Sequence, residues 1–180
     1  MKPTTTDVND RWLTPSAALN RYKPPEGVAI GMHPPTAVRH ARFGFRVGQL
    51  RFLINPDTHS EVIIHIPIAP LPSVPVWFMG VMNLRGNLLP VFDLHQLLDV
   101  GERGRNKQTV LVLDQGSDMV GVAIDGLPES VTPDRALRSL PPLHEALQEH
   151  VSAAYTTDDT IWLDFDHQSF FTTLGRQVTS

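Results

Sequence analysis

Val76–His95 reads VWFMGVMNLRGNLLPVFDLH, and the rest of the chain is organised around it. Two short apolar strands meet at Arg85-Gly86, with Val81, Met82 and Leu84 before the pair and Leu88, Leu89, Val91 and Phe92 after it. Two connecting residues with Gly second are a hairpin signal, because Gly reaches the positive φ that a tight turn demands. Pro90 has no N–H, which predicts an edge or a bulge for it. Asn83 and Arg85 are polar beside apolar strands. A buried Arg85 would need an acidic or carbonyl partner, since an unpaired buried charge is very costly.

Upstream of the hairpin, the pattern from Ala41 has period two. Phe43, Phe45 and Val47 share one face, and Arg42, Gly44 and Arg46 the other. Gly48-Gln49 turns the chain and Leu50–Ile54 returns as an apolar strand, a second hairpin. Glu61–Ile68 carries Val62, Ile63, Ile64, Ile66 and Ile68 and reads as a strand. Pro67, Pro70, Pro72 and Pro75 then force an irregular connector. Residues 1–40 differ, with six prolines breaking every long element. Thr14 and Pro15 could open a short amphipathic turn through Ala17, Ala18 and Leu19. This stretch reads as a loosely docked tail or as a partner-docking peptide.

Downstream, Asp93 is placed to cap a single helical turn over Leu94–Val100. GERGRNK, residues 101–107, is a solvated polar loop rather than a binding patch. Val110–Asp114 and Met119–Asp125 form a third hairpin. Leu143, Leu147 and Val151 have helical spacing, Ile161–Phe165 is a last strand, and Phe170, Phe171 and Leu174 suit a closing helix. Seven or more short strands with turn chemistry between them predict an all-β barrel or sandwich with short helical turns.

Bulk properties narrow the function. A chain of 180 residues predicts one domain, with room for two lobes, and buries roughly 70% of its unfolded surface without a metal or disulfide. There is no Cys, so no disulfide, no thiol nucleophile and no Cys-based zinc site. With 15 Lys+Arg against 19 Asp+Glu, the net charge of −4 argues against non-specific phosphate binding. The first residues carry no apolar signal core and no apolar run reaches about 18 residues, so a cytoplasmic protein without membrane insertion is expected.

Candidate chemistry is sparse. His59, Glu61 and His65 share a strand face, but the two histidines would stand roughly 20 Å apart, too far to hold one ion. Asp93, Asp114, Asp125 and Asp164 each follow an apolar run, where Asp usually starts a turn. Asp125-Gly126 resembles an aspartic-protease loop without its Ser or Thr and without a second copy. No nucleophile elbow, phosphate loop or dinucleotide fingerprint occurs. No metal or other cofactor is expected. Phe43, Phe45, Phe52 and Trp77 could stack bases on a small nucleic-acid-binding barrel, the alternative function, although their alternation with polar residues reads as core.

The run GVMNLRGNLLPVFDL, Gly80–Leu94, resembles the signature of CheW-like domains, the adaptors of bacterial chemosensory arrays. Gly80, Asn83-Leu84-Arg85-Gly86, Pro90-Val91 and Asp93-Leu94 fall in order without gaps. FGFRVGQLRFLIN, Glu61-Val62, VLVLD, VGVAIDG and IWLDFD extend the likeness over Ala41–Leu174, with Phe165 where the family usually has Leu. The tail is longer than in the simplest members. PPLHEALQEHVSAAY is similar to the subgroup tied to type IV pilus twitching motility, the PilI-like one. The resemblance implies an N-terminal tail of residues 1–40, a CheW-like domain over 41–175 and a short C-terminal tail, 176–180. It implies two intertwined five-stranded SH3-like β-barrel lobes with a hydrophobic groove between them, and no enzymatic activity.

The partners it implies are a chemoreceptor cytoplasmic tip and the regulatory domain of a CheA-like histidine kinase, at membrane-associated receptor arrays, with ring or lattice assembly possible. On that footing Val62, Ile64, Val81, Leu84 and Val122 are expected to line the groove. Asn83, Arg85 and Gly86 in the turn are further partner-binding candidates, and Glu61 is expected to pair with Arg85.

Overall fold

The computed structural model describes residues 41–65, 67–101 and 109–178. The expectations placed on residues 1–40 and on Arg103, Arg105 and Lys107 lie outside them. Eleven strands form two sheets among the described residues. The first lobe begins with β1 (Arg42–Val47) and β2 (Leu50–Leu53), joined by the Gly48-Gln49 turn. The chain then builds the whole second lobe: β3 (Ser60–Ile64), β4 (Phe78–Leu84), β5 (Asn87–Phe92), β6 (Thr109–Leu113) and β7 (Val120–Ile124). It returns to the first lobe for β8 (Glu129–Val131), β9 (Arg135–Ala136), β10 (Val151–Thr157) and β11 (Thr160–Phe165). Each sheet contains one parallel pair, β2 with β11 and β5 with β7. That path is what intertwines the lobes.

Both lobes are five-stranded barrels once their closures are traced. In the first, the sheet order is β8-β1-β2-β11-β10-β9. β8 and β9 flank Thr132-Pro133-Asp134, so one bent segment pairs with both edges, β1 and β10. Pro133, with no N–H for a ladder, marks the bend. In the second lobe the order is β3-β6-β7-β5-β4. β3 stops at Ile64 rather than running to Ile68, because the chain turns at His65 (φ 61). Beyond the turn Ala69 exchanges two backbone hydrogen bonds with Val81, at 2.8 and 2.9 Å, and closes the barrel on β4.

That closure explains two residues of the signature. Gly80 sits at a register shift in β4 with φ 130, and a Cβ there would lie 2.1 Å from the Ala69 carbonyl oxygen. Only Gly lets the two backbones cross so closely. Pro90 is neither at a sheet edge nor in a bulge. It lies opposite Val81, whose N–H and C=O both bond Ala69, so the pair is a non-hydrogen-bonded one. Its nitrogen therefore faces away from β4, and pairing to β7 begins only at Val91. No ladder bond is lost.

One core runs through both lobes. Phe45, Phe52, Leu163 and Phe165 from the first lobe pack with Phe92, Leu111, Leu113 and Val122 from the second. β6 is buried on both faces, since Val110 and Val112 fill the second lobe's own core with Met82, Leu89 and Val91. The closing helix α2 (His167–Val178) adds His167, Phe170, Phe171 and Leu174, spaced three and four apart on one buried face. It continues past residue 175, so Arg176–Val178 are helix and not tail. The short helix α1 (Leu94–Leu98) is capped by Asp93, whose carboxylate accepts the His95 N–H at 3.0 Å. The helical spacing of Leu143, Leu147 and Val151 is not realised as one helix. Glu145–Leu147 is a single 3-10 turn and Val151 opens β10.

Candidate partner-docking surface

The Arg85-Gly86 turn has φ 53 and φ 88, the pair of positive values of a two-residue hairpin connection. The Asn83 side chain accepts the Gly86 N–H at 2.9 Å and braces the turn. This presents Arg85 outward, and its two terminal nitrogens bond both Glu61 oxygens at 2.9 and 2.6 Å. The ion pair expected from the sequence is therefore formed and bidentate. It is not buried, as the Arg85 side chain is 72% exposed. In that setting it contributes about 0–1 kcal/mol. The pair staples β3 to the β4–β5 turn across the open end of the second barrel. Below it lies a pocket of about 220 Å³ whose lining includes Leu84, Val112 and Met119.

The apolar candidates divide. Val62 and Val81 are half-buried at the margin of the shared core, and Ile64, on the face of Val62, is 47% exposed. Strand alternation sets Val62 and Ile64 on the opposite face of β3 from Glu61, whose cross-strand neighbour is Val112. Leu84 does not belong with Val62, Ile64 and Val81, because strand alternation turns it with Met82 into the second lobe's own core. Val122 is fully enclosed in the shared core and has no surface to offer a partner. Leu88 lies in β5, as the sequence places it, and is 72% exposed opposite Asn83.

A cleft of about 690 Å³ at the lobe junction is polar rather than hydrophobic. Its lining includes Arg42, Asp114, Asp164, Asp166 and His167, and these groups hold the fold. Arg42 donates to Asp164 at 2.6 Å and to the Ile54 carbonyl. Asp166 accepts the Ser169 N–H at the start of α2. Asp114, at the end of β6, accepts from His167 Nε2 at 2.9 Å and from Gln168 at 3.2 Å. Asp125, at the end of β7, accepts the Gly48 N–H at 2.7 Å and faces His95 Nε2 at 2.9 Å. The Gly48 N–H also points at His95 Nε2, at 3.1 Å, so the three groups form one cluster. His95 Nδ1 is buried without a hydrogen bond, 3.3 Å from Asp93.

Asp114 and Asp125 thus do more than start turns, for each pins the second lobe to a segment of the first or to the helix that follows it. The histidine that completes the Asp114 pin lies 53 residues away, which no local pattern could signal. His167→Ala should lower stability by about 1–3 kcal/mol, the cost of stranding a partly buried carboxylate. Gln168→Ala, losing an exposed bond, should cost under about 0.5 kcal/mol in the same urea titration. No group of three or more His, Cys, Asp or Glu among the described residues is placed to hold a metal ion.

Residues 43–174 match the CheW-like domain. This chain belongs to the CheW-like family. It is 33% identical to the protein PilI of Pseudomonas aeruginosa over 137 residues, 71% of this chain and 76% of PilI. It is 39% identical to the protein FrzA of Myxococcus xanthus over 84 residues, 46% of this chain and 52% of FrzA. A chemotaxis protein CheW of Rhizobium meliloti is 31% identical over 99 residues, 54% of this chain and 64% of that protein. The fold is similar to the scaffolding protein CheW of Thermoanaerobacter tengcongensis, with a TM-score of 0.58 and 23% identity over 70% of this chain and 88% of that one. PilI among the relatives agrees with the subgroup that residues 141–155 suggested. As a CheW-like protein, the chain is an adaptor of chemosensory signalling.

Proposed function

We propose that this CheW-like protein is a non-catalytic adaptor that holds a chemoreceptor's cytoplasmic tip against the regulatory domain of a CheA-like histidine kinase, with type IV pilus twitching motility as its output. The observation that supports this reading is the outward-presented Arg85, held bidentately by Glu61 on the braced hairpin turn. Val62 and Val81, half-buried at the margin of the shared core, and the exposed Ile64 leave apolar surface on the same lobe, which suits the apolar face of a receptor helix. Charged groups lining the cleft at the lobe junction are engaged with one another, Arg42 with Asp164 and His167 with Asp114, which speaks for structure over chemistry there. No described helix is long and apolar enough to cross a membrane. On this reading the protein works at the cytoplasmic face of receptor arrays, without cofactor, and takes part in ring or lattice assembly with the kinase.

Binding to nucleic acid loses its stacking platform. Phe45 and Phe52 are sealed in the core and Trp77 stacks on Phe92 at 6.1 Å, leaving Phe43 alone of the four exposed. Arg85→Ala tests the adaptor reading. Its melting temperature should stay close to wild type, because an exposed ion pair contributes about 0–1 kcal/mol. Receptor-dependent kinase activation in a reconstituted assay should fall several-fold. Undiminished activation by a folded Arg85→Ala protein would count against the reading, as would failure of the wild type to retain either partner in a pull-down.

A further inference from the structure

Arg46 on β1 lies directly opposite Arg51 on β2. The other pairs of this hairpin are Gly44 with Leu53, Phe45 with Phe52 and Val47 with Leu50, none of them charged. Opposed residues of an antiparallel pair point to the same side, so two guanidinium groups stand together on one face. Like charges placed this way oppose pairing of the strands. Arg46 is exposed and Arg51 half-buried. Neither has an ion pair among the described residues. Among the described residues the Arg46 side chain makes one hydrogen bond, at 3.5 Å to the Gly48 carbonyl. Arg42 and Arg85, by contrast, each have a carboxylate at 2.6 Å. The carboxylates around the doublet do not serve it. Glu129 faces Gly44 one strand away, and Asp125 is engaged by Gly48 and His95.

A local rule broken without internal compensation marks a place kept for something outside the fold. We propose that Arg46 and Arg51 form a docking point for an acidic segment of a protein partner, two guanidinium forks receiving side-chain carboxylates. This surface lies on the first lobe, apart from the Glu61–Arg85 staple of the second. Charge complementarity selects the occupant, for each planar fork matches a carboxylate in bidentate fashion. A nucleic-acid strand needs a longer basic track than two residues. The inference rests on the adaptor reading only in taking the ligand to be part of a protein.

The test is a fluorescence-anisotropy titration of the full chain with a labelled oligoglutamate peptide at low and moderate salt. Wild type should bind, more weakly as salt rises. The double variant Arg46→Gln/Arg51→Gln should lose roughly tenfold or more in affinity, as expected when charge-assisted bonds are removed. Its melting temperature should equal or exceed that of wild type, because the opposed charges are gone. Arg138→Gln, which removes an exposed arginine elsewhere on the first lobe, should leave peptide affinity unchanged. No binding by wild type, equal binding by the double variant, or tighter binding of an oligothymidylate of matching charge would each overturn the proposal. So would a dimer that dissociates in the double variant, which would make the occupant a second copy. Pull-down with the kinase domain and receptor tip tests the adaptor reading separately, so the two can fail independently.

Discussion

Gly80→Val will destabilise the protein by about 3 kcal/mol or more, the sum expected from a strained backbone and a steric clash. The added Cβ would meet the Ala69 carbonyl oxygen at 2.1 Å, and the position has φ 130. Nothing there is free to give, because the obstacle is backbone already bonded to Val81. The damage should reach function too, since the Ala69–Val81 closure orders the β3–β4 side of the barrel that carries Glu61, Val62 and Ile64. Typical domains have only about 5–15 kcal/mol in hand, so the variant should unfold at markedly lower urea. Gly86→Asn is the control, as its side chain meets nothing within 4 Å and Asn tolerates positive φ. A Gly80→Val protein with wild-type stability would mean that Ala69 does not cross β4 at this point.

Phe165→Ala should cost about 3–5 kcal/mol, the range for emptying a large buried aromatic site. Phe165 is 2% exposed, with its ring 5.0 Å from Phe52, 5.1 Å from Phe170 and 6.3 Å from Phe171. Phe171 in turn reaches Phe92 of the second lobe at 4.9 Å. Loss of one ring in this chain weakens both lobes together, because the large shared core spans their junction. Variants retaining only Trp162, in the first lobe, or only Trp77, beside the second, should report the same urea midpoint, before and after the substitution. Two separate midpoints would show that the lobes fold independently and that the continuous core is not what couples them.

Much of this was legible beforehand. The Arg85-Gly86 hairpin, the β1–β2 turn at Gly48, the Asp93 cap and the Phe170/Phe171/Leu174 helix all rest on interactions within a few residues, and local chemistry states those outright. β10 was missed for the opposite reason. Val151–Thr157 has little strand signal in Ser152, Ala153 and Ala154, and becomes a strand by pairing with β11. Leu143, Leu147 and Val151 showed helical spacing by coincidence, since three apolar residues four apart also fit a turn followed by a strand. Within the candidate surface, the Glu61–Arg85 pair was anticipated, while Leu84 and Val122 were misplaced. An apolar residue in a β-branched run looks the same whether its face meets solvent or a second core.

Sequence alone settled the kind of molecule: short strands at regular spacing, hairpin chemistry at Arg85-Gly86, and a family signature from Gly80 to Leu94. Those are properties of neighbouring residues, and period and turn preference encode them. Tertiary structure decided which side chains face outward, that Gly80 is a crossing point, that Asp114 and Asp125 pin the lobes, and that Arg46 and Arg51 stand together with no ion pair among the described residues. Each of these depends on which strands lie side by side after closure. That pairing is set by burial of one shared core across distant segments, which no stretch of the chain carries by itself.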